Sequence, residues 1–317
     1  MCFRAAISLR LSKSRAEGCR RDRPPSGSSE RGQRCFSDFA AVRMTSKSVA
    51  AAVKLLVMLL ALAPVQGQAQ TCSYTLSKSW AVGPGSPYGL DIVTSDNSVV
   101  VVLRQPNAVA RYTQQGELLW NKSLSGTPTF MSVDNAQGRM YIAFSSKINV
   151  FDLTGQALGN WSAPTGTAGV AVAADGSLYY TSGGYAYVTH SSANGTALAV
   201  RRGSFSYDWS IAVSPISGDV FLVDQFWDQV WRLNATTLSD INYWAPGAPK
   251  GQVEGLAVDS SGNVLAADSV SKRLELYSTN GTFLCAPASG FTPQGVATSP
   301  GRFVVSDTGK NVRLYVQ

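Results

Sequence analysis

The chain has 317 residues, a net charge of +7 and a single histidine. Residues 1–43 hold nine Arg and one Lys against Glu17, Asp22, Glu30 and Asp38, and Lys47 and Lys54 add two more cations, so residues 70–317 keep 15 basic and 16 acidic groups. The positive charge lies in the leader, the remainder lacks a general attraction for a phosphate backbone, and no nucleic-acid partner is expected.

Residues 1–43 are rich in Arg and Ser, contain Pro24 and Pro25, and show little apolar periodicity, which predicts a disordered basic leader. From Met44 the pattern changes. Lys47 and Lys54 flank the start of an apolar run ending near Ala63, and small residues follow around a cleavage point after Gly67 or Ala69. Residues 44–69 therefore read as a secretory signal peptide. Leu55 to Ala63 is short for a membrane span, which needs about 20 apolar residues. Three other arrangements stay open: an uncleaved signal anchor, a bipartite organelle signal with residues 1–43 as its transit peptide, and translation starting at Met44.

Cys2, Cys19 and Cys35 fall in the leader, leaving Cys72 and Cys285. Two cysteines in a secreted chain are expected to pair, the alternative being two buried free thiols. Beyond Cys72 the sequence reads as short strands cut by turn signals, beginning with YTLSKSWA at residues 74–81. One unit then recurs, with equivalent positions at Gly89, Phe130, Gly169, Ser210, Gly255 and Gly295, spaced by 41, 39, 41, 45 and 40 residues. An apolar residue follows each mark (Leu90, Met131, Val170, Ile211, Leu256, Val296), and then a small one (Ser132, Ala171, Ala212, Ala257, Ala297), except for Asp91.

The clearest unit runs from Glu254 to Leu284. Leu256 and Val258 mark its first strand, Val264 to Ala267 the second and Leu274 to Tyr277 the third, and Asn280-Gly281 turns the chain into a fourth. One such meander cannot bury both faces alone, and a period near 40 with four strands per unit predicts a six-bladed β-propeller, an all-β ring of four-stranded antiparallel blades. The last unit has only three strands before Gln317. Residues 74–81 are expected to supply its outer strand and close the ring, leaving a monomer with no open edge between first and last blades.

The stretches GLAVDSSGNVLAADSVSKRLELYSTNG and QGVATSPGRFVVSDTGKNVRLYV resemble NHL repeats, and SIAVSPISGDVFLVDQFWDQVWRLN is similar. The resemblance covers about residues 72–317 and implies an NHL-like propeller, while saying little about chemistry. Related propeller enzymes would hold a metal through several histidines, or a divalent cation through carboxylates and amides at the axis. Against the first stands His190 alone, read as structural. For the second the candidates are Asp91 and Glu254. The RING-bearing ubiquitin-ligase role of the family has too few zinc ligands here.

The residues preceding the phase marks, Tyr88, Thr129, Ala168, Trp209, Glu254 and Gln294, should ring one mouth of the channel. Tyr185, Trp209, Phe226 and Trp227 are expected to form one aromatic patch on that face, able to anchor a sugar ring or a peptide, with inter-blade packing as the alternative. Asp91 reads as a buried acid satisfied by backbone N–H groups or by Ser132, or else as a channel ligand. Asp224, Asp268 and Asp307, recurring at the end of the second strand, read as caps of the following turn. Asn121, Asn160, Asn194, Asn234 and Asn280 head N-x-Ser/Thr sequons, all placed at the outer strand or the turn before it, where glycans block neither face. The resulting expectation is a secreted, N-glycosylated, non-catalytic binding module for an extracellular protein or glycan. The alternative is a metal-dependent propeller hydrolase or lyase, with a divalent cation as cofactor.

Overall fold

A computed structural model describes residues 72–182, 187–203, 208–247 and 252–317. The leader and signal-peptide segments lie outside the described residues. Those described fold into six four-stranded antiparallel sheets. Each blade runs from an inner strand at the channel to an outer strand at the rim. The inner strands are Ser86–Val93, Pro128–Asp134, Thr167–Val172, Asp208–Val213, Val253–Val258 and Pro293–Ser299. Alternating apolar residues and Gly-containing turns make the meanders, and each meander buries two faces against its neighbours. Six clusters of buried side chains result, one at each blade junction.

Ring closure takes the expected form. Thr75–Ala81 pairs antiparallel with Asn311–Val316 and becomes the outer strand of blade 6. Trp80 from this strand joins a core shared by blades 6 and 1, with Leu90, Val101, Tyr112, Val304 and Leu314. Cys72, just ahead of the strand, is disulfide-bonded to Cys285 in the outer strand of blade 5, with the Cα atoms 5.9 Å apart.

The phase marks have a steric cause. At or just before each mark the pairing of the inner strand with the second strand slips, as between Pro87 and Leu90 or between Val253 and Gly255. The slip brings backbones of adjacent blades together: a Cβ on Gly255 would lie 2.4 Å from the Gln294 carbonyl oxygen, and one on Gly295 2.2 Å from that of Tyr88. A second repeated contact sits at the rim. The indoles of Trp80, Trp120, Trp161 and Trp244, all in outer strands, cover Gly116, Gly155, Gly195 and Gly281 in the third-to-fourth strand turn of the next blade. Glycine is needed there twice over, for φ of +81° to +87° and for the absence of a Cβ under the ring.

The six apolar residues after the marks face the channel and narrow it to a cavity of about 30 Å³. Towards the end where the inner strands finish, it opens into a funnel of about 390 Å³, lined also by Asp91, Thr94, Asn135, Pro215, Thr298 and Ser299. We call this the exit face. The opposite end, where inner strands begin and second strands turn into third strands, is the entrance face.

Candidate functional site

At the entrance face the channel is stoppered by aromatic rings. Trp209 comes from blade 4 and meets Tyr88 of blade 1 and Phe130 of blade 2, with ring centroids at 6.0 and 6.2 Å; Tyr88 and Phe130 lie 5.2 Å apart. All three contacts are edge-to-face, the arrangement favoured by ring quadrupoles. Tyr88 and Phe130 are buried and Trp209 is half-buried, so together they form the floor on which this face of the channel ends.

Polar groups stand around that floor. Arg104 ends the second strand of blade 1, at the position held by Asp224, Asp268 and Asp307 in blades 4 to 6. Its Nε donates to the Pro128 carbonyl at 2.8 Å, and its guanidinium lies 3.6 Å from the centroid of Tyr88. Opposite, Gln225 from the second-to-third strand turn of blade 4 donates to the Val253 carbonyl at 3.3 Å and to the Glu254 carboxylate at 3.4 Å. Burial raises the Glu254 carboxyl above the usual carboxylate range, with Gln225, Ser269 and Arg104 opposing it. Burial likewise pushes the Tyr88 phenol up to about 12, against the charge of Arg104. Among the described residues Gln294 Oε1 is buried without a hydrogen-bond partner, and the Trp209 indole also acts to lower the Tyr88 phenol. Thr129 Oγ1 lies 2.6 Å from the Ala168 carbonyl and 3.0 Å from that of Ala143, and its single proton is shared between these two acceptors.

The expected aromatic patch divides. Trp209 is drawn into the channel by Tyr88 and Phe130, because a large ring next to a converging axis buries more surface inward than outward. Phe226 and Trp227 remain on the surface, 60% and 58% exposed, packed edge-to-face on each other at 5.0 Å. Their backbone amides donate to the Asp224 carboxylate, which caps the turn and holds its backbone beside Gln225. Tyr185 lies outside the described residues.

Asp91 and Glu254 are not brought together. Glu254 precedes the apolar channel ring on the entrance face, and Asp91 follows it in the exit funnel. Three positions along a strand correspond to about 10 Å, before any lateral separation between blades 1 and 5 is counted. Among the described residues no group of three or more His, Cys, Asp and Glu side chains could hold a metal ion. Asp91 instead bridges two inner strands, accepting from Ile92 N at 2.8 Å, Val133 N at 2.7 Å and Ser132 Oγ at 3.4 Å. Ser132 repeats the device one blade on, accepting from Val172 N at 3.3 Å.

Burial raises the Asp91 carboxyl to about 6. The folded chain therefore holds this proton more tightly than the unfolded chain, so Asp91 contributes stability at low pH that is lost as pH rises from about 4 through about 6. Urea unfolding at about pH 4 and about pH 7 should show wild type losing on the order of 2 kcal/mol more than Asp91→Asn over this interval. Equal losses in the two proteins would show that Asp91 titrates alike in the folded and unfolded chains.

Asp268 accepts from Val270 N and Ser271 N, and Asp307 from Asn311 N, completing the recurrent turn caps. His190 stacks on Tyr179 at 4.3 Å, and its Nε2 lies 3.0 Å from Ser177 Oγ, in the third strand of blade 3 and away from the mouth. Asn121 and Asn160 lie in outer strands, and Asn194, Asn234 and Asn280 in the turns leading into them. The residue missed from sequence is Arg104. Its signal was a cation at a position where three other blades carry aspartate.

No family model and no curated protein matches the chain. Solved structures do. Selenomethionine-substituted virginiamycin B lyase from Staphylococcus aureus superposes with a TM-score of 0.60 at 11% identity, over 77% of this chain and 99% of that one. A catalytically inactive histidine-to-alanine variant of the same lyase with quinupristin gives a TM-score of 0.61 at 11% identity, over the same shares of the two chains. A structural-genomics protein of unknown function from Bacteroides thetaiotaomicron gives 0.60 at 12% identity, over 77% of this chain and 75% of that one. At these identities the likeness is one of fold.

Proposed function

We propose that this chain is a secreted, N-glycosylated binding module that holds an extracellular glycan or protein segment on its entrance face and performs no chemistry on it. The observation that carries this reading is the Phe226–Trp227 pair, exposed, packed edge-to-face and carried on a turn whose backbone the Asp224 cap holds, beside the half-buried mouth formed by Arg104, Gln225, Glu254 and Gln294. Rigid exposed aromatics present a large contact area with little rotamer entropy to lose on binding. Planar side chains carrying donors and acceptors above an aromatic floor match the vicinal hydroxyls and apolar ring face of a sugar, so of the two ligand classes the mouth favours a glycan.

The lyase among the structural neighbours is an enzyme, and its inactive form is a histidine variant. This chain's one histidine packs in a blade away from the mouth, and its two candidate metal-binding carboxylates stand at opposite ends of the channel. A single catalytic cation held by Asp91 and Glu254 has no support in that placement.

The test is retention on a panel of immobilised neutral oligosaccharides. Trp227→Ala and Phe226→Ala should each weaken retention by about tenfold or more while leaving Tm unchanged. A Tm loss of several degrees with full retention would assign these rings to packing, and absence of retention from every oligosaccharide would overturn the glycan reading.

A further inference from the structure

A propeller closes into a ring, yet each blade still turns its fourth strand outward as an unpaired edge. Here those edges are apolar. Leu119, Leu158, Leu198, Ile241, Tyr243 and Phe283, in the outer strands of blades 1 to 5, are 46% to 58% exposed. An apolar strand with free backbone N–H and C=O groups is a template for pairing with another copy of the chain. The register slips found in every outer pairing blunt these edges only in part.

The sequons follow the same rim. Asn121 stands two residues after Leu119 and Asn160 two after Leu158, in the same exposed outer strands. Asn194, Asn234 and Asn280 sit in the turns that start the outer strands of blades 3, 4 and 5. In these three turns the carboxamide oxygen is held inward. Asn194 Oδ1 accepts from Thr196 Oγ1, Asn234 Oδ1 from the amides of Thr236 and Thr237, and Asn280 Oδ1 from Arg232 Nη1. Backbone N–H and guanidinium donors fix which atom is oxygen, so each Nδ2, the atom that would be glycosylated, is left without a protein partner among the described residues. Blade 6 has no sequon; its outer strand is pinned by the Cys72–Cys285 disulfide.

We propose that glycans on Asn121, Asn160, Asn194, Asn234 and Asn280 cover the apolar outer edges and keep the propeller monomeric. The proposal rests on the secreted, glycosylated reading above. In each transfer Asn Nδ2 forms a bond to the anomeric carbon of a diphosphate-activated oligosaccharide donor. The bond from that carbon to phosphate breaks, and the Nδ2 proton leaves with the released diphosphate. Charge guards the rim only in part: Lys78, Lys122, Arg201, Arg202 and Asp240 are the charged residues of the six outer strands, and the outer strands of blades 2 and 5 carry none.

The experiment takes the protein secreted from a glycosylating host, with intact mass and sedimentation measured before and after native enzymatic removal of N-glycans. The mass ladder should show at least three glycans, and the stripped protein should rise about twofold or more in weight-average mass as edges pair. A stripped variant carrying Leu119→Ser and Leu158→Ser should recover monomer in part. A single mass equal to that of the bare chain would overturn glycosylation itself. Several glycans with a stripped protein that stays monomeric would leave glycosylation standing and overturn the shielding role.

Discussion

Deletion of residues 72–81 should abolish the folded monomer. The segment supplies a complete outer strand to blade 6, so its loss exposes the Asn311–Val316 edge and takes Trp80 out of the core between blades 6 and 1. Tyr74, its ring tilted against Phe303 at 4.9 Å, goes with it, as does the disulfide. Truncating a buried Trp alone costs about 3–5 kcal/mol, and a disulfide in a small secreted domain about 2–5 kcal/mol. Together these come to about 5–10 kcal/mol before the lost strand pairing is counted, comparable with the whole stability of an ordinary domain, about 5–15 kcal/mol. The double variant Cys72→Ser with Cys285→Ser separates the two contributions: it should lower Tm while leaving a folded monomer, because the strand pairing remains. Circular dichroism and size exclusion read both variants. A deleted protein that stays monomeric with an unchanged melting temperature would show that the ring does not depend on this closure.

Gly255→Ala and Gly295→Ala are the second pair of large effects. Neither glycine has a positive φ, so the cost is contact alone: the added methyl meets a backbone carbonyl of the next blade at 2.4 or 2.2 Å, and a carbonyl in a sheet cannot swing away as a side-chain tip can. Overpacking of this kind costs about 1–3 kcal/mol, sometimes more, and here the strain falls on two adjacent blades at the axis. Gly295 is the more sensitive site, since Tyr88 belongs to the ring-closing junction and its carbonyl also accepts from Ser306 Oγ at 2.8 Å. Gly159→Ala is the control. Gly159 lies in an outer strand with nothing within 4 Å of the added carbon, so its urea midpoint should stay at the wild-type value.

These crowded glycines are also why so much of the fold was legible. The inner strands converge, crowding selects Gly or Ser at one phase in five of the six blades, with Phe130 the exception, and a mark repeated about every 40 residues reveals both the blade number and its start. The closure was legible because blade 6 lacked a strand and YTLSKSWA had the look of one. The Trp-on-Gly contacts at the rim were harder to see. They join an outer strand to a turn of the next blade some 34 to 37 residues later, and a Trp in a short exposed strand looks unremarkable within its own unit.

The site was legible in its ring of positions but not in its assembly. Tyr88, Trp209 and Glu254 do stand around one mouth. Which way Trp209 points depended on Phe130 and Tyr88, two blades and three blades away in the chain, and no local pattern encodes that choice. Asp91 drew attention as a carboxylate among alanines. Its backbone partner Val133 belongs to the next blade, 42 residues on, so whether it was satisfied could be decided only in three dimensions.

Hydrogen exchange of the protein, with and without an oligosaccharide retained on the panel, locates the ligand. A ligand on the entrance face slows exchange at Gln225–Asp228, Gln252–Gly255 and Thr292–Gly295 and leaves the exit-funnel amides of Thr94, Asn135 and Ser260 unchanged. Protection confined to the exit funnel, with the Phe226–Trp227 turn exchanging as in the free protein, would contradict an entrance-face site.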